Sequence, residues 1–216
     1  MHKWKIPALI IMACALMGLV DAVWQPGYII KSAIKMVLFL AIPVLGYRDC
    51  VKPFLKPNKK GLFTAALLGF LIYGIIVGGY LLLRNVFDFS ALTKSLGETT
   101  GVNGGNFLWV AIYISFVNSF LEEFFFRGFS FLTLRKYTSR NFAFFFSSAA
   151  FALYHIAMMI GWFGLPVVLL SLSGLFVGGL LFNFCDEKEG NIYVSWLIHM
   201  FANFATNTIG FILFAA

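Results

Sequence analysis

The chain has 216 residues, of which 61% are hydrophobic, 19% aromatic and only 12% charged, with a formal net charge of +7. So apolar a balance excludes an ordinary soluble domain and a disordered chain, and it marks an integral membrane protein. The positive charge does not signal nucleic acid, because the cations gather in short segments between apolar runs. About 20 apolar residues cross a bilayer core of about 30 Å as a helix. The expected fold class is therefore all-α, a polytopic transmembrane helical bundle of about seven spans.

The first run, residues 6–24, is longer than a signal-peptide core and shows no small-residue cleavage pattern, so it reads as a retained span. Residues 29–47 make the second and weakest, because Lys31 and Lys35 interrupt it; the alternative is an interfacial segment with snorkelling lysines. Arg48, Lys52, Lys56, Lys59 and Lys60 follow. The third span is 61–83, and a loop carrying Arg84 and Lys94 leads to the fourth at 107–126. Arg127, Arg135, Lys136 and Arg140 come next, ahead of spans at 141–160, 166–184 and 191–214. Together with Lys3 and Lys5, these clusters fall on one side if spans alternate, which by the positive-inside rule puts the N-terminus in the cytoplasm and the C-terminus outside.

Nothing divides the chain, and residues 1–216 read as a single membrane domain without the inverted halves of transporters. Gly74 and Gly78, like Gly174 and Gly178, have the small-x-x-x-small spacing of closely packed helices. Tyr28, Trp109, Tyr137, Trp162, Tyr193 and Trp196 lie near span ends, as interfacial aromatic belts do. Cys14, Cys50 and Cys185 show no metal or disulfide spacing.

The chemistry gathers on three spans. Glu122 and Glu123 are adjacent in the fourth; ionised groups at that depth are costly and are functional candidates by default. Neighbours on a helix point about 100° apart, so the two carboxylates take different roles. Glu123 and Arg127 are four apart and pair on one face, which leaves Glu122 to face a cavity as a general base. No cation is expected to face Glu122, so alanine there should strand none. The bland reading is that the three charges mark the cytosolic end of the span. Of the three histidines, His2 lies in the basic N-terminal stub, whereas His155 and His199 sit on apolar helices. Asn203, one turn after His199, shares its face, so the two are placed either to donate to a developing oxyanion or to join two helices. Straight spans would put His155 roughly 20 Å deep and His199 only about 12 Å, which separates them.

E-E-x-x-x-R at Glu122, Glu123 and Arg127, F-x-x-x-H at Phe151 and His155, F-x-x-G at Phe176 and Gly179, and H-x-x-x-N at His199 and Asn203 follow in order on successive spans. In order and spacing they resemble the CAAX protease and bacteriocin-processing (CPBP, or Abi) family of intramembrane endopeptidases, and the chain is similar to type II CAAX prenyl endopeptidases. The resemblance covers residues 107–216, and the stretch 183–189 adds nothing to it. It implies a protease in which Glu122 and His155 activate a water, His199 and Asn203 hold the oxyanion, and Glu123 and Arg127 support them.

The family is often labelled a metalloprotease, yet the chain lacks H-E-x-x-H. Glu122, His155 and His199 would make a minimal zinc set, so no cofactor is favoured and zinc is the alternative. The implied partners are a membrane-associated peptide or protein substrate and the lipid bilayer, with no nucleic acid. The size and the lack of a targeting extension favour a bacterial cell membrane and a role in bacteriocin or signal-peptide maturation or self-immunity. A non-catalytic immunity or scaffold protein on the same fold and a small transporter are the rival readings.

Overall fold

The computed structural model describes residues 4–56, 59, 61–87, 89, 97–98, 101–159 and 164–215; His2, Lys3, Lys60, Lys94 and Trp162 lie outside the described residues. Among the described residues, seven helices are long and apolar enough to cross a membrane: Lys5–Trp24, Tyr28–Leu55, Leu62–Leu83, Phe107–Lys136, Arg140–Met159, Leu165–Glu189 and Tyr193–Ala215. They are called here the first to seventh spans. Two run well past their expected ends. The second continues beyond Tyr47, where the backbone kinks (φ −139°, ψ 36°), to Leu55. The fourth does not stop at Phe126 but continues to Lys136, and its segment Glu123–Thr133 is wound as a wider π-helix. Arg127 and Arg135 therefore belong to the helix and not to a loop after it.

The interfacial alternative for the second span does not hold. Lys35 is 5% exposed, and Lys31 pairs with Asp21 of the first span at 3.3 Å. Both lysines point inward at counter-charges, so they cost the span far less than unpaired cations would.

The fourth span is the centre of the bundle and packs against the second, fifth, sixth and seventh. Lipid tails are as apolar as leucine, so contact shape and interhelical hydrogen bonds, not hydrophobicity, hold such helices together. Phenylalanine supplies the shape. Phe124, Phe125, Phe126 and Phe129 are fully buried; Phe125 stacks on Phe39 of the second span at 4.1 Å, and Phe126 meets Phe151 of the fifth edge-on at 5.3 Å. Each such pair contributes about 0.5–1.5 kcal/mol beyond its area. Serine and asparagine supply the hydrogen bonds. Ser147 donates to the Phe126 carbonyl at 2.6 Å, Asn183 to the Phe144 carbonyl at 2.9 Å, and Asn207 to Ser115 Oγ at 3.0 Å.

The start of the seventh span is fixed from outside itself. Gly190, with φ +70°, ends the sixth span in a left-handed residue. Asp186 then accepts from the Ser195 backbone N–H at 3.0 Å and from its hydroxyl at 2.6 Å, which satisfies an orphan donor of the first turn. His199 lies one turn further on.

The glycines expected to bring helices together do not do so. Among the described residues, a Cβ on Gly74, Gly78, Gly174 or Gly178 would meet nothing within 4 Å. The close approaches are elsewhere: a Cβ on Gly128 would fall 2.3 Å from the Phe54 ring, and one on Gly69 2.4 Å from Phe201. Gly128→Ala should therefore lower thermal stability in detergent by about 1–3 kcal/mol through overpacking, since Phe54 is wedged against Phe124. Gly178→Ala should change it by less than roughly 0.5 kcal/mol. Equal melting of the two variants would contradict this packing.

Candidate active site

Glu122 stands near the middle of the fourth span and is 2% exposed. One oxygen, Oε1, accepts from Lys35 Nζ at 2.5 Å and from Asn118 Nδ2 at 3.0 Å. The other, Oε2, faces the Nε2 atoms of His155 at 3.9 Å and His199 at 3.7 Å. These separations are too long for direct hydrogen bonds.

The far side of each ring sets what its Nε2 can do. His155 Nδ1 is 2.7 Å from the Phe151 carbonyl, which only accepts, so that nitrogen carries the proton. His199 Nδ1 is 2.7 Å from Glu123 Oε1 and is protonated for the same reason. In the neutral rings both Nε2 atoms then present lone pairs to Glu122 Oε2. Three acceptors aimed at one another need a donor between them, a water molecule or a second proton on one of the rings, and this is an arrangement suited to orienting a water molecule.

Glu123 and Arg127 are both fully buried, so the reading in which these charges merely mark a span end does not hold. Arg127 Nε lies 3.2 Å from Glu123 Oε2. The guanidinium is held between two aromatic faces, with Cζ 4.0 Å from the Phe151 centroid and 4.8 Å from that of Phe182. Glu123 thus has two partners, one oxygen toward the Arg127 cation and the other on His199.

His155 and His199 meet the same carboxylate although one closes the helix Arg140–Tyr154 and the other sits in the second turn of its own. The two helices therefore do not both start level and run parallel, which removes the depth mismatch expected of straight spans. Asn203 is one turn past His199 and gives Nδ2–H to the Ile114 carbonyl at 3.1 Å. An amide nitrogen has two hydrogens, so one remains for another acceptor.

Several residues of the site escape sequence reasoning. Lys35 is 87 positions from Glu122, and no local pattern links them. Asn118, four residues before Glu122, has a visible helical spacing. Within 183–189, where the motifs give nothing, Asn183 and Asp186 are fully buried, and Glu187 binds Arg135 at 2.9 Å and Arg140 at 2.5 Å. All three tie helices together.

For a metal, the donor types suit zinc, including Nδ1 partners that would orient the rings. Ligands about 2.0–2.1 Å from tetrahedral zinc are roughly 3.3 Å apart, against 3.9 and 3.7 Å from Glu122 Oε2 to the two histidines, and Lys35 already supplies a cation to Glu122. Among the described residues, no group of three His, Cys, Asp or Glu is placed to hold a metal ion.

Residues 104–205 match the family model described as Type II CAAX prenyl endopeptidase Rce1-like. No curated protein and no solved structure matches the chain. The matched segment runs through every motif from Glu122 to Asn203 and leaves out the first three spans. Over residues 104–205 the chain is homologous to the CAAX protease Rce1-like/CPBP superfamily of intramembrane proteases.

Proposed function

We propose that the protein is an intramembrane endopeptidase that hydrolyses a peptide bond in a membrane-associated peptide or protein without a metal ion. The observation that carries this reading is the convergence of Glu122 Oε2 with the Nε2 atoms of His155 and His199. Water held there gives one proton to Glu122 and the other hydrogen bond to His155, and its oxygen attacks the carbonyl carbon. The oxyanion accepts from the second Asn203 N–H and from His199, which donates at Nε2 when both its nitrogens carry protons; Glu123 is the counter-ion for that form. Glu122 then returns its proton to the leaving nitrogen as the C–N bond breaks, releasing an amine and a carboxylic acid, which ionises in solvent.

The substrate favoured is a peptide leader or membrane-anchored peptide, with a prenylated C-a-a-X tail as the alternative that the family model's name supplies. The setting is a bacterial cell membrane with the N-terminus cytoplasmic. That orientation is supported by the position of the cations: Tyr137 meets Cys50 at 3.2 Å, which brings the basic ends of the second and fourth spans to one side.

Glu122→Ala would strand the Lys35 cation, contrary to the sequence-based expectation, so the better probe is Glu122→Gln. Its amide oxygen still accepts from Lys35 and Asn118 while its NH₂ meets the histidine lone pairs. Glu122→Gln and His155→Ala should each lower cleavage of a membrane-anchored reporter peptide by about 10² to 10⁴ at equal abundance. Turnover near wild type in either would eliminate the proposed base, and no cleavage by purified wild-type protein would favour the scaffold or transporter reading.

Arg127 acts through structure. Arg127→Ala removes the guanidinium between Phe151 and Phe182 and leaves Glu123 buried, which should destabilise by about 3–5 kcal/mol. Melting temperature and membrane abundance should fall along with activity. A fully stable but inactive Arg127→Ala protein would place Arg127 in the chemistry instead.

Asn203→Ala should cut kcat by roughly 10² to 10³ with little change in KM, because its hydrogen bond strengthens mainly in the transition state. Asn203→Asp should do no better, since an ionised carboxylate donates nothing. An active Asn203→Asp enzyme that loses activity to a chelator and regains it with zinc would overturn both the oxyanion role and the metal-free reading.

A further inference from the structure

The first three spans lie outside the family match, yet the second delivers a buried cation to the reactive carboxylate. Lys35 Nζ is 2.5 Å from Glu122 Oε1 and 2.6 Å from Asn118 Oδ1, and Asn118 Nδ2 donates in turn to Glu122 Oε1 at 3.0 Å. The three side chains close a ring. The lysine is itself fixed, with Nζ 5.1 Å from the Tyr154 ring centroid and 5.5 Å from that of Phe39.

The ring has a geometric consequence. A carboxylate at the end of a glutamate side chain turns through a broad, two-fold torsional well, so nothing intrinsic to Glu122 selects which oxygen faces the histidines. Two donors on Oε1 make that selection: they anchor one oxygen on the Lys35 side and leave Oε2 as the one presented to His155 and His199. Charge neutralisation alone would not require this arrangement. One turn away, Lys31 pairs with Asp21 at 3.3 Å, and among the described residues it makes no hydrogen bond or ion pair with Glu122.

We propose that Lys35, with Asn118, is a positioning residue for the reaction: it locks the Glu122 carboxylate in the orientation that presents Oε2 to His155 and His199. The proposal rests on the reading of Glu122 as the base. It assigns to the second span a part of the site that the matched segment does not contain.

The test uses full-length protein in lipid nanodiscs and a panel of quenched-fluorescence peptides, one with a prenylated C-a-a-X tail and others with an apolar membrane anchor. Lys35→Met, similar in length and uncharged, should lower kcat by about 100-fold with KM within about twofold, as expected when a reacting group is displaced by about 1 Å. Lys35→Arg, which keeps a cation and its donors, should recover at least about tenfold of that loss. Lys31→Met removes the neighbouring ion pair and should keep kcat within about threefold of wild type even where it lowers the melting temperature. If Lys35→Met does not accumulate, Lys35→Gln is read against the same threshold. A Lys35→Met or Lys35→Gln enzyme within about threefold of wild-type kcat, or an equal loss in Lys31→Met, would overturn the positioning role while leaving Glu122 as the base. Failure of wild-type protein to cleave any peptide of the panel would overturn the reading of the site, and the Lys35 role with it.

Discussion

An ionised side chain inside a bilayer must find an opposite charge within the protein, and the bundle is arranged around that requirement. Asp21 has Lys31 at 3.3 Å, Glu122 has Lys35 at 2.5 Å and Glu123 has Arg127 at 3.2 Å. The first of these pairs joins the first and second spans and the next joins the second and fourth. Of these three pairs, Glu123 and Arg127 form the one within a single helix. Removing one partner leaves a bare charge in a poorly solvated interior, so breaking any of these pairs is costly, and two of the three tie neighbouring helices together.

Around these pairs the packing is aromatic. The π-helical segment Glu123–Thr133 is buried along its whole length, with phenylalanines on several sides. Those rings both fill space and hold charge: Phe151 and Phe182 flank Arg127, and Phe39 and Tyr154 flank Lys35. A cation over an aromatic face is stabilised without water, which suits a site that has to keep its charges away from bulk solvent.

Two layers of the site follow. Glu122, His155 and His199 face one another, while Lys35, Asn118, Glu123 and the Phe151 carbonyl set their orientation from behind. Asp186 acts one step further out by fixing the start of the helix that carries His199. The layer behind draws on the second span as well as the matched segment, so the geometry of the cluster is not contained in residues 104–205 alone.

Fold class, span number and the order of the motifs are written in the sequence, because hydropathy over about 20 residues is a local property and helical spacing fixes which residues share a face. The pairing of Glu123 with Arg127 was legible for the same reason. The span ends were not: the segments carrying Arg127 and Glu187 continue as helix because their charges find partners, Arg127 on Glu123 one turn earlier and Glu187 on Arg135 and Arg140 of neighbouring spans. Nor did glycine spacing reveal where helices touch, since Gly128 opposes Phe54, a residue far away in sequence, while among the described residues nothing lies within 4 Å of a Cβ at Gly74 or Gly178. The sequence by itself determined that two carboxylates, two histidines and an asparagine lie on membrane helices. Only the tertiary structure decided that Lys35 completes the site and that both histidines turn Nε2 toward one oxygen of Glu122, because these depend on how helices distant in sequence rotate and shift against each other.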